Sequence, residues 1–156
     1  MKSLPAAAFA VALPLAAHAA NLPVEFNGMW VATDATNNQC RVEDVKGEKD
    51  NAPIDRIMSV GAGEIAFYET RCKIVSVKPI RNANPNDKNQ VNAEAVLACK
   101  GEGMLWDARE IWHVQTIDGA KVAVVTALSQ TNYRDERGRK QSTPSLVTTS
   151  IYYACK

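Results

Sequence analysis

Histidine is almost absent. The chain of 156 residues has two, and His18 lies in an N-terminal leader-like stretch, which leaves His113. One imidazole excludes a histidine-rich metal centre. His113, set between Trp112 and Val114 in an extended run, reads as a packed or edge side chain rather than a general base. None of Ser59, Ser76, Ser129, Ser142, Ser145 and Ser150 stands in a Gly-x-Ser-x-Gly elbow. The Gly-x-x-x-x-Gly-Lys phosphate loop and the dinucleotide fingerprint are both missing. An excess of one charge is missing too. The 18 Lys and Arg side chains face 17 Asp and Glu, so the chain has no general attraction to nucleic acid or to an anionic membrane. No apolar run approaches the roughly 20 residues of a membrane span. These absences leave no catalytic residue, no metal and no cofactor to assign.

Residues 1–19 have the form of a secretory signal. Lys2 gives the positive start, Leu4 to Leu15 is rich in Ala, Leu and Val, and Ala17-His18-Ala19 places small residues where a signal peptidase inspects them. The expectation is therefore cleavage after Ala19, a single domain over residues 20–156, and a periplasmic or secreted address. That mature chain carries 17 basic and 17 acidic side chains. Its 137 residues suffice for one core.

The remainder reads as short strands between polar turns. Leu22 to Thr33 is the first. Glu43 to Pro53 is charged and punctuated by Gly and Pro, as a surface loop is, and its acids (Glu43, Asp44, Glu48, Asp50) lack calcium-loop spacing. Ile54 to Val60 suits either a strand or a helical turn. Glu64 to Ile80 is rich in β-formers, and Arg81 to Gln90, with four Asn, is a loop. Val91 to Lys100 alternates, with Val91, Ala93, Ala95, Leu97 and Cys99 on one face. Trp106 to Ile117 and Lys121 to Leu128 form a hairpin about Asp118-Gly119, a pair suited to positive φ. Gln130 to Pro144 is polar and basic, with a hairpin tip at Tyr133 to Lys140. Leu146 to Cys155 closes the chain with Val147, Thr149, Ile151, Tyr153 and Cys155 on one face. About eight short strands and no helical periodicity predict an all-β fold, a small antiparallel barrel or sandwich.

Cys40, Cys72, Cys99 and Cys155 allow three disulfide pairings. Pairing the Glu64–Ile80 and Val91–Lys100 strands around the Asn-rich loop, with Ile80 against Val91, sets Cys72 opposite Cys99, Ile74 opposite Leu97 and Val75 opposite Val96. That register favours Cys72–Cys99, and with it Cys40–Cys155. The rival set is Cys40–Cys72 with Cys99–Cys155. Spacings of 32, 27 and 56 residues hold no Cys-x-x-Cys knuckle, and export favours disulfides over zinc.

The same register places Glu69 opposite Glu102, with Arg71 close by and Trp106 a few residues on as an aromatic platform. Paired carboxylates either split their proton affinities, as acid and base, or share the arginine in a structural ion pair. Glu69, Arg71, Glu102 and Trp106 are the candidate binding patch.

Two resemblances bear on these segments. Tyr68-Glu69-Thr70-Arg71-Cys72, Cys99-Lys100-Gly101-Glu102-Gly103 and the terminal Tyr152-x-x-Cys155 resemble the Tyr-Glu-x-x-Cys, Cys-x-x-Glu-Gly and final-Cys elements of a broad group of small exported four-cysteine bacterial proteins with no settled activity. That likeness implies the fold and the address and transfers no catalytic residue. Gly28-Met29-Trp30, with Cys40 ten residues after the tryptophan, resembles the first strand of lipocalins and of secreted barrel protease inhibitors. In such a strand the tryptophan plugs one end of the barrel. The function expected from all of this is a non-enzymatic binding module that meets a protein or small ligand through loops and barrel mouth. The alternatives are an inhibitor of a secreted hydrolase, a lipocalin-like carrier of an apolar ligand, and a hydrolase built on Glu69 and Glu102.

Overall fold

The computed structural model describes residues 20–32, 56–82, 86–87, 89–143 and 147–155. The signal segment, the acidic loop and Cys40 lie outside them. A 3₁₀ turn, Val24–Phe26, leads into β1 (Gly28–Ala32), followed by β2 (Ile57–Gly61), β3 (Glu64–Ala66), β4 (Thr70–Ile80), β5 (Gln90–Gly101), β6 (Met104–Ile117), β7 (Ala120–Asp135) and β8 (Thr148–Ala154). Each strand pairs antiparallel with the next, and β8 returns to β1 through Trp30↔Ala154, Val31↔Tyr153 and Ala32↔Tyr152. The eight strands thus form a closed barrel. No helix among the described residues is long and apolar enough to cross a membrane.

Local sequence explains the turns. Asp118 and Gly119 have φ of 50° and 77°, and Glu102 and Gly103 have 49° and 73°. Both pairs are the two-residue, left-handed connections that match strand twist. The segment expected as one strand, Glu64 to Ile80, is in fact a hairpin. Phe67 N–H donates to Thr70 O (2.8 Å) around an exposed Tyr68-Glu69 tip, so β-forming residues at Phe67 and Tyr68 serve a turn. In the other direction, β7 runs on to Asp135, through residues expected to be a loop. Asp135 then closes the turn: Oδ1 accepts from the N–H groups of Arg137 (3.0 Å) and Arg139 (2.8 Å), while Oδ2 meets Arg139 Nε at 2.6 Å.

The β4–β5 register holds as expected from Cys72↔Cys99 to Ile74↔Leu97 and then shifts. Val75 bulges out, 55% exposed, so Val96 faces Ser76 and Ile80 faces Asn92 rather than Val91. Cys72 and Cys99 are joined in a disulfide. Cys155 is not a free thiol, and its expected partner, Cys40, lies outside the described residues.

One end of the barrel is packed solid. Phe26, Trp30, Met58 and Trp112 are fully buried there. Phe26 and Trp112 meet edge to face at 5.8 Å, and Trp30 Nε1 donates to Phe26 O at 2.9 Å. Lys121 Nζ lies 6.0 Å from the Trp30 ring and donates to Glu25 O (2.8 Å), fastening the 3₁₀ turn across this floor. Buried Ala93 and Ala123 stand opposite large neighbours and make room for them: Ala93 pairs with Trp112, and Ala123 with Tyr152.

Two outcomes follow. Removing the bridge with Cys72→Ala/Cys99→Ala should lower unfolding free energy by about 2–4 kcal/mol in denaturant titrations. Gly101→Ala should cost about 1–3 kcal/mol, because its Cβ would stand 2.8 Å from the Glu69 carbonyl oxygen and 2.5 Å from Thr70 Oγ1. A Gly101→Ala protein as stable as the parent would contradict that close approach.

Candidate functional site

The opposite end of the barrel is its mouth. Period-two alternation along β6 sends Trp106, Ala108, Glu110, Trp112 and Val114 inward. Glu110 therefore projects into the barrel with Ala95 beside it on β5 and Ala127 on β7. Both neighbours carry only a methyl group. On β8, Thr148 and Ser150 stand exposed at the open lip of the cavity, Tyr152 and Ala154 pack further in, and Ile151 is exposed on the opposite face. The grouping expected for the last strand, Thr149, Ile151 and Tyr153 on one face, holds, and the β7 pairings Val125↔Ser150 and Ala127↔Thr148 set the Thr148 and Ser150 hydroxyls on the cavity side. Small side chains at this level leave a cavity of about 210 Å³, with Phe67, Trp106, Glu110, Ala127, Ser150 and Tyr152 around it. The Cys72–Cys99 bridge forms part of the same wall.

Glu110 is the side chain that sequence reasoning passed over. Its Oε2 accepts a hydrogen bond from Trp112 Nε1 at 2.9 Å. Oε1 has no hydrogen-bond partner among the described residues. Arg109, next in the chain, points out of the barrel to Glu94 (Nε–Oε1 2.6 Å), an exposed pair that holds the Glu94 carboxyl below its ordinary value. Among the described residues, no lysine, arginine or histidine lines the cavity. Burial pushes Glu110 up from an ordinary 4.5 to about 6, against the opposing pull of the Trp112 indole. The signal was present in the sequence, since a carboxylate interrupts an otherwise apolar and aromatic period-two face. β7 also bulges directly against it, where Arg109↔Ser129 gives way to Glu110↔Ala127 and leaves Leu128 as the extra residue.

No family model, curated protein or solved structure matches this chain. Its chemistry is carried by the geometry alone.

The four residues expected to form a patch separate into two places. Glu69, Arg71 and Glu102 line a groove of about 320 Å³ on the outer rim, together with Tyr68, Lys100 and Glu136. Glu69 and Glu102 are exposed, and no hydrogen bond joins them among the described residues. Arg71 turns to Glu64 on β3, Nη1–Oε1 2.9 Å, rather than to either of them. Trp106 is not a platform for this groove. It pairs with Cys99, packs on the interior core and lies 5.8 Å from the Tyr133 ring. His113 sits on the outer surface, where Nδ1 meets Asn92 Oδ1 at 2.5 Å. Asn92 in turn donates to Asn82 Oδ1 (2.5 Å), and Asn82 donates to Gln90 O (2.7 Å). This chain of bonds pins the end of the β4–β5 connection and gives His113 a structural role.

The raised pKa of Glu110 has a defined sign in stability. The native state holds this proton more tightly than the unfolded chain, so the contribution is fully present below about 4.5 and is lost as pH rises through about 6. A shift of this size corresponds to on the order of 2 kcal/mol. Glu110→Gln should therefore be the more stable protein at pH 7.5 by on the order of 1–2 kcal/mol, with the difference vanishing near pH 4. Urea unfolding at the two pH values measures it, and a pH-independent difference would refute the burial argument.

Proposed function

We propose that the protein is an exported, non-enzymatic binding barrel that takes one small ligand at its open end. The observation that carries this reading is the unequal filling of the interior. Trp30 and Trp112 plug the floor, while the mouth opens into a 210 Å³ cavity where aromatic faces converge with a single carboxylate. Concave, largely apolar sites with a few placed polar groups are where small molecules bind. A periplasmic or extracellular setting is supported by the secretory form of residues 1–19 and by the Cys72–Cys99 bridge. The four-cysteine motifs and the Gly-x-Trp opening fit the same reading. A second one, an inhibitor gripping a secreted hydrolase with its rim, draws on the 63% exposure of Tyr68 beside the rim groove.

Ala127→Phe separates the two, because Ala127 lines the cavity and has no part in the rim. Screening a small-molecule library by native mass spectrometry and tryptophan fluorescence should yield saturable one-to-one binding. Ala127→Phe should weaken that binding at least about tenfold while circular dichroism stays unchanged. Binding that survives Ala127→Phe, or a library with no saturable ligand, would overturn the cavity reading.

A further inference from the structure

We propose that the ligand is an organic ammonium ion, a small primary or secondary amine whose cationic nitrogen meets Glu110 Oε1 and whose apolar body lies against Phe67, Trp106 and Tyr152. The inference rests on the cavity reading above and adds the ligand's charge and size.

Charge comes first. Glu110 has given one oxygen to the Trp112 indole and presents the other to the cavity. The groups facing it from the neighbouring elements are neutral: Ala95 on β5, Ala127 and Gln130 on β7, Thr148 and Ser150 on β8, and the disulfide across from it on β4 and β5. Tyr152 is the other titratable side chain on the wall among the described residues. The nearest cation in sequence, Arg109, is committed to Glu94 outside the barrel. A half-buried carboxylate with no counter-charge among the described residues is costly, and a bound cation relieves that cost through a charge-assisted hydrogen bond. A neutral ligand leaves the cost in place, and an anion adds repulsion.

The wall supplies the second argument. Three aromatic side chains beside one carboxylate are the electron-rich acceptors that recognise an ammonium group, whose positive field is drawn to aromatic faces. Oxygen atoms of Thr148, Ser150 and Gln130 stand in the same cavity to take the remaining N–H groups. Size is the third. An apolar cavity of about 150 Å³ admits benzene, so 210 Å³ suits one ring with a short amine arm.

Benzylamine, benzyl alcohol and benzoate share a ring and differ in charge, and they serve as the probes. At pH 7.5, titrations of the full mature chain followed by calorimetry and amide chemical shifts should show benzylamine binding at least about tenfold more tightly than benzyl alcohol, with no binding of benzoate. Glu110→Gln should remove the benzylamine advantage and leave benzyl alcohol unchanged. With the wild-type chain alone, benzylamine should weaken about tenfold from pH 7 to pH 5 as Glu110 takes up its proton, while benzyl alcohol should not. Equal affinity for amine and alcohol, a Glu110→Gln protein that keeps the amine preference, or a flat pH profile would each overturn the ammonium assignment with cavity binding intact. Failure of all three probes to shift cavity resonances would overturn the assignment and the cavity reading together.

Discussion

Closure of the barrel around an unequally filled interior governs the rest of the molecule. Eight strands enclose just enough width for side chains to fill. The chain spends its largest apolar groups, Trp30, Trp112 and Phe26, at one level of that space. At the other level Phe67, Trp106 and Tyr152 stand among Ala127, Thr148 and Ser150, whose small side chains leave the hollow. A uniformly large set would have produced a solid core, and a uniformly small one would have collapsed or flooded. The Lys121 clamp over Trp30 and the Phe26 carbonyl beneath the indole fix the filled end, so the hollow is confined to the mouth.

The mouth is shaped by departures from regular pairing. β7 departs from simple registry with β6 in two places, at Leu128 opposite Glu110 and at Asn132 and Tyr133 opposite Trp106. Asn132 adopts φ 55° and donates to Asp107 Oδ2 at 2.5 Å, which steadies the second irregularity from outside. Extra residues coil a strand and re-aim its neighbours. Here they sit at the two β6 positions that hold the cavity's carboxylate and its indole.

Much of the fold was legible because period two and turn chemistry are local. The alternation of Val91 to Cys99, the Asp118-Gly119 turn and the Cys72↔Cys99 register each follow from a few adjacent residues. What escaped depends on partners far along the chain. The bulge at Val75 is a property of the pair, since nothing in Ile74-Val75-Ser76 alone favours it over straight pairing. The last strand has apolar residues on both of its faces, and the Thr148 and Ser150 hydroxyls turn to the cavity because of their pairing with β7. Hydrophobicity assigns inside to the greasier face, which fails when the interior is meant to be polar. Glu110 was hidden for the same reason. A charge in a strand reads as surface until the fold shows which way its neighbours point, and the carboxylates at Glu69 and Glu102 drew attention because they stand beside turns and cysteines.

The sulfur bridge does double duty. It staples β4 to β5, and it is also masonry of the hollow itself. Cys72 and Cys99 thus serve the wall and the β4–β5 pairing at once. Oxidation of the two thiols therefore sets one side of the hollow as it locks two neighbouring strands together.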